Sequence, residues 1–243
     1  RCGSIALQSC HARCRRSSSG SCCLQPGILI MYVPKHFKVE STDTLQQFIR
    51  DYSYGMLIVA DENDIDANRL PFYLSSEKSP EQTKSRLGVL QCHVARKNPV
   101  WQKLAAAPRV LVVFQGPDAY VSPSWYATKA DTGRVVPTWN YLAIHAEGRA
   151  QVTEDPEWLR RHLQHLTDHN ESTMPDPWSL DDAPSDYTLR LMQAIVGIEI
   201  NIETLTGKLK ASQNQPQGNR AGVKAALKNR ESICPAGMSE FVV

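Results

Sequence analysis

Apolar residues recur along this chain with two periods, and stretches of period two dominate. From Trp139 to Val152 the positions alternate. Trp139, Tyr141, Ala143, His145, Glu147 and Arg149 fall on one face of an extended strand, and Asn140, Leu142, Ile144, Ala146, Gly148, Ala150 and Val152 fall on the other. The second set is the more apolar, so it is expected to face a core. Val110 to Phe114 is an unbroken apolar run, as in a strand covered on both faces. Further strands are predicted over Tyr54 to Ala60, Asn68 to Leu74, Leu87 to His93 and Ile195 to Ile202. Pro71 donates no ladder hydrogen bond and marks an edge or a bulge in the second of these.

Helical spacing is scarcer. Ser41 or Thr42 opens a helix with Leu45, Phe48, Ile49 and Tyr52 on one side. A short helix is capped by Asn98, with Pro99 at its first position and Trp101 and Leu104 turned inward. Asp155-Pro156-Glu157 opens a longer one striped by Leu159, Leu163 and Leu166, and Tyr187 to Ala194 is also helical. Five or six strands with few helices between them favour an antiparallel sheet or barrel, mainly β with flanking helices, over a doubly wound fold.

The segments between these elements hold the candidate chemistry. The long stretch from Phe114 to Trp139 is rich in Gly, Pro, Ser and aromatics, including Ser122, Ser124, Trp125 and Thr138, and reads as a binding loop; disorder is the competing reading. The corner from His93 to Trp101 sets Arg96 and Lys97 beside a helix N-terminus, which suits a phosphate; a solvated basic turn is the competing reading. Asp61 to Asp66 lacks the Gly and Glu of a calcium loop and reads as a solvated hairpin turn. His162, His165 and His169 share a helix face without a further ligand set, as expected of a solvated face rather than a metal site. Ser75 to Ser85 and Asn170 to Asp186 read as surface loops.

Charge and cysteine usage divide the 243 residues at Met31. Arg1, Arg13, Arg15 and Arg16 meet no acid before that point, whereas the remainder carries 23 basic and 25 acidic residues. Cys2, Cys10, Cys14, Cys22 and Cys23 precede Met31, and only Cys92 and Cys234 follow it. Residues 1–30 therefore read as a disordered or non-native leader, with organellar import implied if it is native. Residues 31–230 read as one domain with a basic, helical C-terminal tail, and 231–243 as a flexible terminus. The body suggests a reducing, cytoplasmic setting, and no apolar run approaches the roughly 20 residues of a membrane span. Its near neutrality argues against a broad nucleic-acid surface, but Lys208, Lys210, Arg220, Lys224, Lys228 and Arg230 form one local basic region.

Several blocks in order then resemble one family. MYVPKHF at Met31 to Phe37, His93-Val94-Ala95, Asn98-Pro99-Val100-Trp101, FQGPDAYVSPSWY at Phe114 to Tyr126, VPTWNYLAIHAEG at Val136 to Gly148, IVGIEI and KLKASQNQP resemble the PaiB-type FMN-binding negative transcriptional regulators. Two departures stand out: the family's Thr-His-Leu-Pro is here Asn68-Arg69-Leu70-Pro71, and its Gly-His is Cys92-His93.

The resemblance implies an FMN-binding split β-barrel, a homodimer with FMN at its interface, and contact with DNA, direct or through a partner. It nominates Arg69, Arg96 and Lys97 for the phosphate, and Leu70, Pro71 and Phe72 for the ring edge. Ser122, Ser124, Trp125, Thr138, Trp139 and Asn140 line the slot, and His93 and Asn98 belong to the same corner. A flavin-dependent oxidoreductase of the pyridoxamine-phosphate-oxidase-like type is the alternative, with His93 and His145 as its proton-handling candidates. A split barrel with a vestigial pocket is the third reading.

Overall fold

A computed structural model describes residues 31–62, 64–75, 87–231 and 237–243. The leader, most of the loop expected over Ser75 to Ser85, and Cys234 lie outside these residues. Among them, eight strands form one antiparallel sheet: β1 (Lys38–Val39), β2 (Tyr54–Ala60), β3 (Ile65–Pro71), β4 (Tyr73–Ser75), β5 (Val89–Ala95), β6 (Arg109–Val121), β7 (Thr138–Thr153) and β8 (Ile195–Lys210). Their order is β3-β2-β6-β7-β8-β5-β4, and β1 pairs with β8.

The two ends of that order, β3 and β4, are one stretch of chain broken only at Phe72. Pro71 cannot donate to the ladder, and Phe72 leaves it to donate its amide to Ser53 O at 2.9 Å. The chain thus changes partner, from β2 to β5, across one residue, and this closes the barrel. Phe72, 0% exposed, turns inward edge-on to Phe114 with ring centroids 5.5 Å apart. Leu57, Val59, Leu90, Val112, Leu142, Ile144, Ile198 and Ile200 fill the interior around them. On β7 the apolar set from Asn140 to Ala150 is the buried one, as the alternation requires.

Six helices flank the barrel: α1 (Thr42–Asp51), α2 (Val100–Ala106), α3 (Thr128–Thr132), α4 (Pro156–Glu171), α5 (Ser185–Met192) and α6 (Gln217–Glu231). Ser41 caps α1, its hydroxyl accepting from Thr44 N at 3.2 Å. Asp61 to Asp66 joins the β2–β3 hairpin, with Asp64 and Asp66 paired to Lys103 at 2.8 and 3.6 Å.

Several elements depart from expectation. Strands β6, β7 and β8 run beyond the barrel as a three-stranded arm. A second core, made of Val121, Tyr126, Ala211, Val223, Leu227, Met238 and Val242, binds α6 and the C-terminal residues to it. Residues 237–243, expected to be flexible, therefore bury Met238 and Val242 completely. The histidines of α4 are not solvated. His162 is 1% exposed, His165 packs on Tyr73 with centroids 5.0 Å apart, and His169 Nε2 lies 3.1 Å from Arg50 O. Their side of the helix is the one laid on the barrel.

Candidate functional site

The outward face of β3, β2, β6, β7 and β8 carries a surface unlike the rest of the molecule. Register aligns Arg69, Met56, Val113, His145 and Thr206 in one row across five strands, and Ala67, Ile58 and Leu111 in the next. Met56, Ile58, Leu111 and Val113 are half-buried and join neither core. Around them stand large exposed side chains on the same face: Tyr54 at 55% exposure, Trp139 at 54%, Ile65 and Tyr120. Arg69 lies over the Tyr54 ring, 4.7 Å from its centroid, and Trp139 meets Tyr120 edge-on at 5.9 Å. Exposed apolar and aromatic side chains gathered on one face make it the candidate binding or assembly surface.

One end of the face is positive. Lys208 and Lys210 alternate with Gly207 and Leu209, so both ammonium groups point outward beside Tyr141. Lys210 Nζ donates a short hydrogen bond to Thr138 Oγ1. Lys208 Nζ donates to Tyr32 O at 3.2 Å and lies over the Tyr32 and Tyr141 rings. Neither lysine forms an ion pair among the described residues. Burial, and secondarily the neighbouring Lys208 charge against an opposing pull from Tyr141, pushes the Lys210 ammonium below its usual range. An arriving anion would relieve that. Immediately beyond, Ser212 holds a left-handed backbone at φ 63°, pinned by reciprocal hydrogen bonds with Asn140 at 3.0 and 3.3 Å. Strain of this kind persists only where the surroundings enforce it.

Comparison with known proteins bears on family and fold. Residues 31–204 match the sequence profile of the family described as "Putative FMN-binding domain". The chain belongs to this family. It is 31% identical to the protease synthase and sporulation protein PAI 2 of Bacillus subtilis over 212 residues, which cover 87% of this chain and 96% of that protein. It is 35% identical to an uncharacterised protein of Emericella nidulans over 76% of this chain and 85% of the relative. Among solved structures, the FAD and heme binding protein from Mycobacterium smegmatis aligns with TM-score 0.51 at 15% identity over 71% of this chain and 73% of that one, a likeness of fold. The protein is thus an FMN-binding split-barrel protein of the PaiB type, and its cofactor is FMN.

In this PaiB-type chain the nominated residues separate into groups. Arg69 lies on the open face, whereas Leu70 packs against the main core and Phe72 is buried within it. Pro71 is the hinge of barrel closure, paired with Tyr54. Arg96 does not present a free cation: its guanidinium is bonded to Glu154 and donates to Gln193 O at 2.9 Å and Ile195 O at 3.1 Å. Lys97 is exposed at the turn. Asn98 caps α2 through Val100 N at 3.0 Å and donates to Asn68 Oδ1 at 2.8 Å, joining the two blocks structurally. Trp101 Nε1 donates to Arg96 O at 3.0 Å.

His93 points away from the open face into a contact with α4, its Nδ1 3.0 Å from His162 Nε2. Ser122 Oγ accepts from Ser124 N at 3.2 Å, and Ser124 Oγ accepts from Lys129 at 3.0 Å. Trp125 is half-buried under α6, with Arg230 5.9 Å from its ring centroid. Trp139 is on the face; Thr138, at the start of β7 on the alternate side, is reached by the Lys210 ammonium, and Asn140, 0% exposed, lies behind the face. Tyr141 was absent from the nominated set, and Lys208 and Lys210 were named only as part of a basic tail, although the alternation in Thr206-Gly207-Lys208-Leu209-Lys210 carries the signal of a strand.

Proposed function

We propose that the protein is a cytoplasmic, homodimeric, flavin-responsive repressor of transcription, with FMN bound where the open faces of two copies meet. The observation that carries this reading is the pair of unneutralised cations, Lys208 and Lys210, beside the Thr138 hydroxyl on a face of exposed aromatic and half-buried apolar side chains. These residues fit FMN: two ammonium groups and a hydroxyl suit a phosphate, and the strip from Met56 to Val113 with Trp139 suits a flat ring system. When bound, FMN supplies redox chemistry that apolar walls shield from water.

A single copy holds the parts of such a site far apart. Arg69 lies three strand spacings from His145, roughly 14 Å, and Trp139 lies six residues further along β7, roughly 20 Å. In the proposed dimer the Arg69 end of one copy meets the Lys210 end of the other, an arrangement a C2 interface permits because each copy presents the same patch.

The regulator reading rests on the PaiB-type relationship together with α6. Lys224 and Lys228 stand exposed one turn apart on that helix, with the half-buried Arg220 a turn before them, so one stripe is basic. Such a stripe suits phosphodiester backbone. Mobility-shift titrations of the FMN-loaded protein with genomic fragments are expected to show retardation at low salt that weakens steeply as salt rises; absence of retardation at every salt concentration refutes direct DNA contact.

A second reading, a flavin-dependent oxidoreductase, is favoured by His145. Burial lowers its pKa against an opposing pull from Glu147, so a neutral imidazole faces the site at pH 7. Reduction of the bound flavin by NADH or NADPH, followed by turnover with an acceptor, distinguishes it from the repressor.

A further inference from the structure

On the side of the barrel away from the open face, β5, α4 and α5 enclose a cleft of about 460 Å³. Its wall is formed largely by Leu163, Leu180, Leu191 and Ile195, with Trp178 and Tyr187 at the mouth, and among the described residues no acid, Lys or Arg lines it. Volume and lining match small-molecule sites, which are mostly apolar with a few placed polar groups. Trp178, Tyr187 and Leu191 remain about half exposed, so the molecule leaves aromatic and aliphatic surface uncovered there.

The cleft has one polar group held in a set orientation, His93. Its Nδ1 is engaged by His162 Nε2 at 3.0 Å, which leaves Nε2 for the cleft. His162 is stacked on Trp158 with centroids 5.1 Å apart, and its own Nδ1 is buried with no hydrogen-bond partner. A buried N–H without an acceptor is rarer than a buried lone pair without a donor. His162 therefore carries its proton on Nε2 and donates it to His93 Nδ1. That fixes the His93 proton on Nε2, as a donor facing the cleft. Thr188 does not compete, because its hydroxyl donates to Pro184 O at 3.2 Å.

We propose that this cleft is a second small-molecule site, distinct from the flavin face, which takes an uncharged and largely apolar ligand bearing a carbonyl oxygen that accepts from His93 Nε2. Aromatic ligands are favoured by Trp178 and Tyr187 at the mouth. Anionic ligands are not, since no cation lines the wall and burial opposes a positive charge on either ring of the histidine pair.

Acetophenone and cumene test this, because they share shape and differ in the carbonyl oxygen. Each is titrated into the FMN-loaded full chain labelled with ¹⁵N-histidine, following the imidazole nitrogens by NMR. Acetophenone is expected to shift the His93 signals saturably with no change in the flavin spectrum. Cumene is expected to bind roughly tenfold or more weakly, since it leaves a buried donor unpaired. His93→Phe removes the preference between the two. Ala183→Phe fills the cleft without cutting a hydrogen bond, and abolishes binding of both. Equal binding of the two probes, acetophenone binding unaffected by Ala183→Phe, or displacement of FMN by acetophenone would each overturn the proposal. So would a change of oligomeric mass on Ala183→Phe without probe binding to the parent chain, which would make the cleft a protein interface.

Discussion

Lys210 bears most of the weight in the flavin reading. It is a cation already discouraged by burial and by Lys208, and its only hydrogen bond among the described residues goes to a hydroxyl. Replacing it removes a charged donor from the proposed phosphate site without touching either core. A hydrogen bond to a charged group is worth about 1.5–3 kcal/mol, so Lys210→Met is expected to weaken FMN binding by roughly 10- to 100-fold. Quenching of flavin fluorescence measures this, with circular dichroism unchanged; unaltered affinity would move the phosphate elsewhere.

His162 makes a different prediction. Burial, then His93, then His165 push its pKa down to about 3, while an unfolded histidine titrates near 6.5. Between those values the unfolded chain binds a proton that the folded chain rejects. Stability is therefore full above pH about 6.5 and falls as pH drops toward 3, by at most about 1.4 kcal/mol per pH unit for this one group. Urea unfolding at pH 7, 6 and 5 should show a shallower acid decline in His162→Phe than in the parent, with His93, also lowered by burial, keeping part of the slope. An identical decline in both proteins would exclude His162 as the source.

The strands that build the arm show what the amino-acid order disclosed and what it concealed. Leu142, Ile144 and Ala146 announce their inward face by simple alternation. β6 was expected to end at Phe114, where the apolar run gives way to a segment that opens on Gln115-Gly116-Pro117. The structure instead passes through it as a bulge between Gln115 and Asp118 and pairs on to Val121. β8 was expected to end at Ile202, with Lys208 and Lys210 assigned to a basic tail, and Thr204 to Lys210 is polar on one side. That side lies on the open face proposed for flavin, so polarity concealed a strand whose other side, Leu205, Gly207 and Leu209, kept the period.

Barrel closure through Phe72, and the burial of Met238 by α6, depend on partners distant in sequence, and no local period reports them. α6 docks tightly: a Cβ added at Gly222 would lie 2.0 Å from Trp125 O. Gly222→Val therefore forces the helix off the arm and is expected to cost about 1–3 kcal/mol, read as a lower thermal midpoint. A midpoint at or above the parent's would show that α6 yields freely.

At the scale of the whole barrel, two sides are unequal. α4 and α5 cover β5, with the His93–His162 pair between them, whereas β2 and β6 turn Met56, Ile58, Leu111 and Val113 outward among Tyr54, Tyr120 and Trp139. An apolar face that joins neither core gains nothing for the single chain, and in the proposed dimer it becomes interior together with the flavin. Dimerisation and FMN binding are then one equilibrium. Val113→Lys tests the coupling at the centre of the face, opposite both Met56 and His145 in register. A lysine there meets its own symmetry mate or the flavin ring. The variant is expected to sediment as a monomer and to lose FMN in parallel, with the thermal midpoint of the apo barrel unchanged because Val113 lies in neither core. A monomeric variant that keeps parental FMN affinity would confine the site to one chain, and a variant that stays dimeric would remove the open face from the interface. The same coupling predicts, for the parent protein, that diluting below the dimer dissociation constant weakens apparent FMN affinity and that added FMN restores the dimer, since a ligand bound only by the dimer stabilises it by mass action.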